Sequence, residues 1–108
     1  MDKMGREAII SIGSNVPDKR ERVEKACEEL KNRFYSFQVS SIYTTPAVGR
    51  CAGQPDYCNA VARFSTTGDY ETLRLFFKTM ESDYGRVRHS DAVALIPLDI
   101  DIVMWDGA

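Results

Sequence analysis

Apolar and polar residues alternate along four stretches of this chain, and two intervening stretches repeat instead every three or four residues. Period two marks a half-buried strand and period 3.6 an amphipathic helix. Glu7 to Gly13 reads as a first strand, with Ile9, Ile10 and Ile12 as its apolar positions. Gly13-Ser14-Asn15 breaks it and Pro17-Asp18 opens a helix, where Glu21, three residues past Asp18, predicts a capping box. Val23, Ala26, Cys27 and Leu30 give that helix one apolar stripe. Phe37 to Thr45, rich in β-branched residues, reads as a second strand, and Ala47 to Pro55, with Gly49 and Gly53, as a loop.

Asp56 to Thr66 is the third strand, with Tyr57, Asn59, Val61 and Arg63 on one face and Cys58, Ala60, Ala62 and Phe64 on the other. Small and apolar side chains suit a helix-covered face, so Tyr57 and Asn59 are expected on the open one. Gly68-Asp69 caps a second helix whose inward stripe is Leu73, Phe76, Phe77, Met80 and Tyr84, and Gly85 stops it. After the polar turn Arg86 to Asp91 comes a last strand, where Leu98, Ile100, Ile102 and Met104 alternate with Asp99, Asp101 and Val103. The order βαββαβ predicts an α+β, ferredoxin-like arrangement: a four-stranded antiparallel sheet with both helices on one face.

A chain of 108 residues, 44% hydrophobic and 28% charged, suffices for one domain, 1–108, with its own core. The net charge of −2 speaks against nucleic acid or an anionic membrane as partner. A phosphate ligand would then need local arginines or a metal. The chain reads as carrying no signal peptide, lipidation motif or membrane span. Cys27, Cys51 and Cys58 have no metal-ligand spacing, and Cys27 and Cys58 fall on apolar faces as core thiols, so a reducing, cytoplasmic setting is expected.

Asp99 and Asp101 share one face of the last strand. Like charges held that close repel unless a cation or strong donors lie between them. Mg²⁺ takes hard oxygen ligands, commonly one or two carboxylates together with substrate phosphates and waters. The pair therefore reads as a Mg²⁺–nucleotide site. Two solvated acids on an open sheet is the plainer alternative, and the spacing alone leaves it the more frequent one.

Further residues tilt that balance. Ile12-Gly13-Ser14-Asn15, Ser41-Ile42-Tyr43-Thr44-Thr45-Pro46, Gln54-Pro55-Asp56-Tyr57-Cys58-Asn59-Ala60-Val61, Gly85-Arg86-Val87-Arg88 and Leu98-Asp99-Ile100-Asp101-Ile102 occur in this order. Together they resemble the 6-hydroxymethyl-7,8-dihydropterin pyrophosphokinase family, whose ferredoxin-like fold agrees with the periodicity. The resemblance implies transfer of pyrophosphate from ATP to the hydroxymethyl oxygen of a reduced pterin, with release of AMP, in folate biosynthesis. It makes Asp99 and Asp101 the metal ligands, catalytic through two Mg²⁺ ions that bridge the ATP phosphates and the pterin hydroxyl. Arg86 and Arg88 become catalytic and nucleotide-binding residues on a loop closing over the phosphates, and Glu81 lies on the nucleotide side. Gly13, Thr45, Pro46, Val48, Tyr57 and Asn59 form the pterin site. There Asn59 hydrogen-bonds the pterin edge, Tyr57 stacks on its ring, and Gly13 occupies a tight turn beside it.

Two departures accompany the resemblance. Where the family has an Arg-Trp-Gly-Pro-Arg stretch sealing the ATP, this chain has Ala92, Val93 and Ile96 at the Arg, Trp and second Arg positions. The family also continues past the aspartate strand with a segment that is absent here. A catalytically degenerate pterin-binding homologue is thus an alternative function. Another is an interaction module without turnover, using the uncovered sheet face for self-association. His89 and Trp105 are assigned no catalytic part.

Overall fold

The alternation along the chain resolves into a five-stranded antiparallel sheet resting on two helices. The computed structural model describes residues 5–46, 56–85 and 95–107. In chain order the elements are β1 (Arg6–Ser14), α1 (Lys19–Lys31), β2 (Tyr35–Val39), β3 (Tyr43–Thr45), β4 (Tyr57–Thr66), α2 (Tyr70–Asp83) and β5 (Asp99–Trp105). The strands lie in the order β2-β4-β1-β5, and β3 also pairs with β4. Ala8, Ile10 and Ile12 of β1, Ala60, Ala62 and Phe64 of β4, and Ile100 of β5 form one core with Val23, Ala26 and Leu30 of α1 and Leu73, Phe77 and Met80 of α2. This is the expected α+β, ferredoxin-like arrangement with both helices on one face.

The strand count is five rather than four because the expected second strand is interrupted. Ser40 donates its N–H to the Val61 carbonyl at 2.8 Å, but the Val61 N–H goes to the Ser40 hydroxyl at 2.9 Å. A side chain thus takes the place of a backbone acceptor and the ladder stops. Val39 pairs with Ala62 and Tyr43 with Asn59, four steps along one strand against three along the other. That extra residue is a bulge, and it exchanges the faces of everything after it. A second bulge lies at the start of β2, where Ser36 has a left-handed φ of 55°. It turns Tyr35 out to 79% exposure while Phe37 packs on Phe64, ring centroids 5.9 Å apart.

A third irregularity corrects the reading of the last strand. Ile10 pairs with Ile102 but Ile9 with Met104, so Val103 is the additional residue. Met104 consequently shares the open face with Ile9 instead of continuing the buried series of Leu98 and Ile100. Trp105 falls back to the helix side, where it meets Tyr70 edge-on at 5.6 Å, a packing role as expected.

Both helices begin where the sequence places them, by different means. The capping box at α1 does not form: Asp18 makes no side-chain cap and its carboxylate accepts instead from Arg22 Nε at 3.0 Å. At α2 the expected cap is present, with Asp69 Oδ1 accepting from the Thr72 N–H at 2.8 Å. The helix ends at Gly85, whose φ of +100° suits a residue without Cβ. Phe34, Phe37 and Phe77 pack about the 1% exposed Phe64 ring, with Phe34 closest at 4.3 Å, and Phe76 extends the cluster through Phe34 and Phe77. Cys58 is buried among core residues, and burial pushes the half-buried Cys27 thiol up to about 11, away from the range of an activated nucleophile. No helix among the described residues is long and apolar enough to cross a membrane.

Truncating Phe64 to Ala is expected to cost about 3–5 kcal/mol, read from the denaturant midpoint, because a fully buried ring packed on Phe34, Phe37 and Phe77 leaves a cavity. The Asp69 cap predicts a pH-dependent effect. The Thr72 amide holds the Asp69 carboxyl below its ordinary 3.8, so its contribution is complete above that value and disappears as pH falls through the lower folded-state value. The gap in melting temperature between wild type and Asp69→Ala should stay constant from about pH 7 to pH 5 and shrink in stronger acid.

Candidate functional site

Residues directly opposite each other on antiparallel strands point to the same face. Ala8, Ile10 and Ile12 face the helices, so Ile9, Ser11 and Gly13 face away from them. Gly13 pairs with Asn59 on one side and with Asp99 on the other, and Asn59 pairs with Tyr43. Tyr43, Asn59, Gly13 and Asp99 therefore make one row across four strands. Asp101 stands in the neighbouring row opposite Ser11, and Tyr57 opposite Thr45. The open face thus carries the two aspartates, the asparagine and the tyrosine. Two strand spacings, ~10 Å, separate the backbones of Asn59 and Asp99.

Gly13 lies within β1 rather than at a tight turn, which corrects the expectation drawn from the Gly-Ser-Asn break. Its lack of a side chain matters for space. A Cβ there would stand 2.9 Å from Asn59 Oδ1 and 3.6 Å from Tyr57 Cδ2. The bare backbone is the floor between the amide and the acid pair. Asn59 is held from its other end, where Nδ2 donates to Thr45 Oγ1 at 2.7 Å. Thr45 can reach it only because the interruption at Ser40 puts Tyr43 and Thr45 on the open face. Pro46 follows at the edge of the site and is exposed. Val48, Arg86, Arg88, Ala92 and Val93 lie outside the described residues.

Asp99 is half-buried and Asp101 exposed, with the buried Ile100 between them on the opposite face. Two polar clamps missed by the sequence reading hold this strand. Asn15, 1% exposed, donates its N–H to the Ile96 carbonyl at 3.0 Å and accepts the Ile96 N–H on Oδ1 at 2.5 Å. Ser14 Oγ adds a bond to the same carbonyl at 3.3 Å. The end of β1 thereby grips the backbone leading into Asp99. Ile96, which stands at the second of the two Arg positions, is part of that grip through its main chain. Glu81, 2% exposed, accepts the Ile100 N–H at 2.7 Å. Its place on the buried stripe of α2, beside Phe77 and Met80, was the available signal, since a carboxylate there needs a partner.

Outside β5, a cavity of about 180 Å³ runs between the strand and α2, lined by Tyr70, Arg74, Lys78, Glu81, Asp101 and Ile102 among others. Arg74 is paired with Glu71 at 2.6 Å. Among the described residues, no group of three or more His, Cys, Asp or Glu side chains could hold a metal by itself. The donor set still fits Mg²⁺, because two carboxylates on one face leave the other positions to phosphate oxygens and waters. Such a metal would arrive with a phosphate ligand.

The family model described as 7,8-dihydro-6-hydroxymethylpterin-pyrophosphokinase matches residues 9–107, nearly the whole chain. That span begins within β1 and contains every later element through β5.

The geometry at Gly13 yields a direct expectation. Gly13→Ala should push the Asn59 amide off Thr45 and weaken binding of a hydroxymethyl-dihydropterin by about tenfold or more in a calorimetric titration, roughly 1.4 kcal/mol. An affinity equal to wild type would show that the amide does not meet the ligand.

Proposed function

The chain belongs to the 7,8-dihydro-6-hydroxymethylpterin-pyrophosphokinase family, and we propose on that basis that it transfers pyrophosphate from ATP to 6-hydroxymethyl-7,8-dihydropterin. One observation carries the reading: an anchored amide and an acid pair share a sheet face, with a side-chain-free gap between them. A flat polar heterocycle fits over Gly13, with its edge on Asn59 and its ring against Tyr57. Thr45 orients the amide so that its carbonyl and amide edges meet the donors and acceptors of the ring.

The reaction this arrangement serves is a single displacement. The hydroxymethyl oxygen attacks the β-phosphorus of ATP, the bond from that phosphorus to the α–β bridging oxygen breaks, and AMP departs. The hydroxyl proton is lost to solvent. Asp99 and Asp101 would hold two Mg²⁺ ions, which when bound neutralise the triphosphate and align the attacking and leaving oxygens. The nucleotide would approach along the cavity outside β5, where Lys78 and Arg74 bring positive charge beside Asp101. Arg86 and Arg88 would close over the phosphates, where guanidinium groups bind bidentately.

A second reading, a pterin-binding homologue without turnover, is favoured by Ala92, Val93 and Ile96 at positions where the family carries two arginines and a tryptophan. The two differ in one assay. Purified protein supplied with ATP, Mg²⁺ and the pterin is expected to form AMP, and Asp99→Asn or Asp101→Asn should each cut the rate by about 100-fold or more, near 2.7 kcal/mol of barrier. Pterin binding without AMP above a mock purification would select the second reading. Unpaired Cys27 and Cys58 among the described residues fit a cytoplasmic enzyme acting as a single domain, and the sheet face turned away from the helices would be the surface for any self-association.

A further inference from the structure

The aspartates sit on a strand at the edge of the sheet. Among the described residues β5 pairs with β1 on one side, and no described strand pairs with its outer side. The Ile100 N–H donates to a side chain, Glu81, and therefore points outward, away from β1. Ile100 is the residue between Asp99 and Asp101. The acceptor comes from the last turns of α2, is 2% exposed, and approaches from the helix side. Ile100 and Glu81 both line the cavity outside β5.

We infer that Glu81 is a positioning residue for the acid pair, acting through the Ile100 backbone rather than by touching phosphate or metal. This rests on the functional reading above. A buried donor left without an acceptor is costly, so the bond locks the height and tilt of the segment from Asp99 to Asp101 against α2. Asn15 performs the same task four residues earlier, at Ile96, from the opposite side of the strand's entry. These two grips hold the backbone that carries both carboxylates, at Ile96 and at Ile100. A misplacement of ~1 Å in such a site is enough to weaken it markedly. Glu81 also lies four residues before Gly85, where the helix ends and the chain departs toward Arg86 and Arg88. One carboxylate thus ties the last turns of α2 to the strand bearing the aspartates.

What matters, on this account, is the reach of the acceptor and not its charge. Two mild variants separate the two. Glu81→Gln keeps the length and an acceptor oxygen but removes the charge; Glu81→Asp keeps the charge and withdraws the oxygen by one methylene. Full-length wild type and both variants are compared by amide hydrogen exchange at Ile100, by Mg²⁺-dependent titration with α,β-methylene-ATP, and by pterin titration. Expected for Glu81→Gln are a protected Ile100 amide and nucleotide affinity within about twofold of wild type. Glu81→Asp should expose that amide and lose about tenfold in Mg²⁺-dependent nucleotide affinity, with pterin affinity within about twofold.

The opposite pattern, with Glu81→Asp intact and Glu81→Gln impaired, overturns the inference in favour of a charge-borne contact. So does an equal loss in both variants, or no loss in either. An Ile100 amide that exchanges freely in wild type overturns it without any substitution. Absence of Mg²⁺-dependent nucleotide binding in wild type is a different failure, because it removes the functional reading itself while the exchange data still report on the Glu81 bond.

Discussion

β1 is paired on both sides, with β4 from Arg6 to Ser14 and with β5 from Ala8 to Gly13, and this double ladder is the constraint from which the rest of the molecule follows. Ala8, Ile10 and Ile12 are sealed under the helices, so Ile9, Ser11 and Gly13 have no choice but the open face. Each neighbour inherits that choice through its register. Asn59 and Asp99, which are distant in sequence, flank the same glycine because each is bonded to the same central strand. Had β1 slipped by one residue, the aspartates would have been driven into the aromatic and aliphatic core at a prohibitive desolvation cost.

The site nevertheless depends on a defect in this regularity. Unbroken alternation from Val39, which pairs with the buried Ala62, would have put Tyr43 and Thr45 on the helix side. The extra residue after Val39 reverses them, and only then does the Thr45 hydroxyl reach the Asn59 amide. The bulge at Val103, by contrast, falls beyond Asp101. It redirects Met104 and Trp105 and leaves the alternation of the acid pair untouched. One irregularity builds the pocket wall and the other finishes the strand without disturbing it.

Buried polar side chains secure the seams that secondary structure leaves open. Asn15 joins the end of β1 to the entry of β5, and Glu81 joins α2 to the outer edge of β5. Thr66, 8% exposed, accepts the Gly68 N–H at 3.2 Å and turns the chain from β4 toward the Asp69 cap. Each occupies a junction where a backbone group would otherwise face the interior without a partner. Two of them converge on the strand that carries Asp99 and Asp101, so polar burial is concentrated where backbone placement matters most to the site.

Local chemistry written along the chain determined the two helices, the faces of β4 and the common direction of Asp99 and Asp101. Burial imposes its period directly on side-chain polarity, so a single pass along the residues recovers it. The Asp69 cap and the stop at Gly85 were readable for the same reason, since each involves residues within a few positions of one another. Tertiary structure alone decided the partners. Asn15 and Ile96 are 81 residues apart and Glu81 and Ile100 are 19 apart, and nothing in a local period records such pairings. The split of the second strand, the place of Gly13 inside the ladder and the turn of Met104 to the open face belong with them. All depend on register, which strands acquire only by bonding to one another.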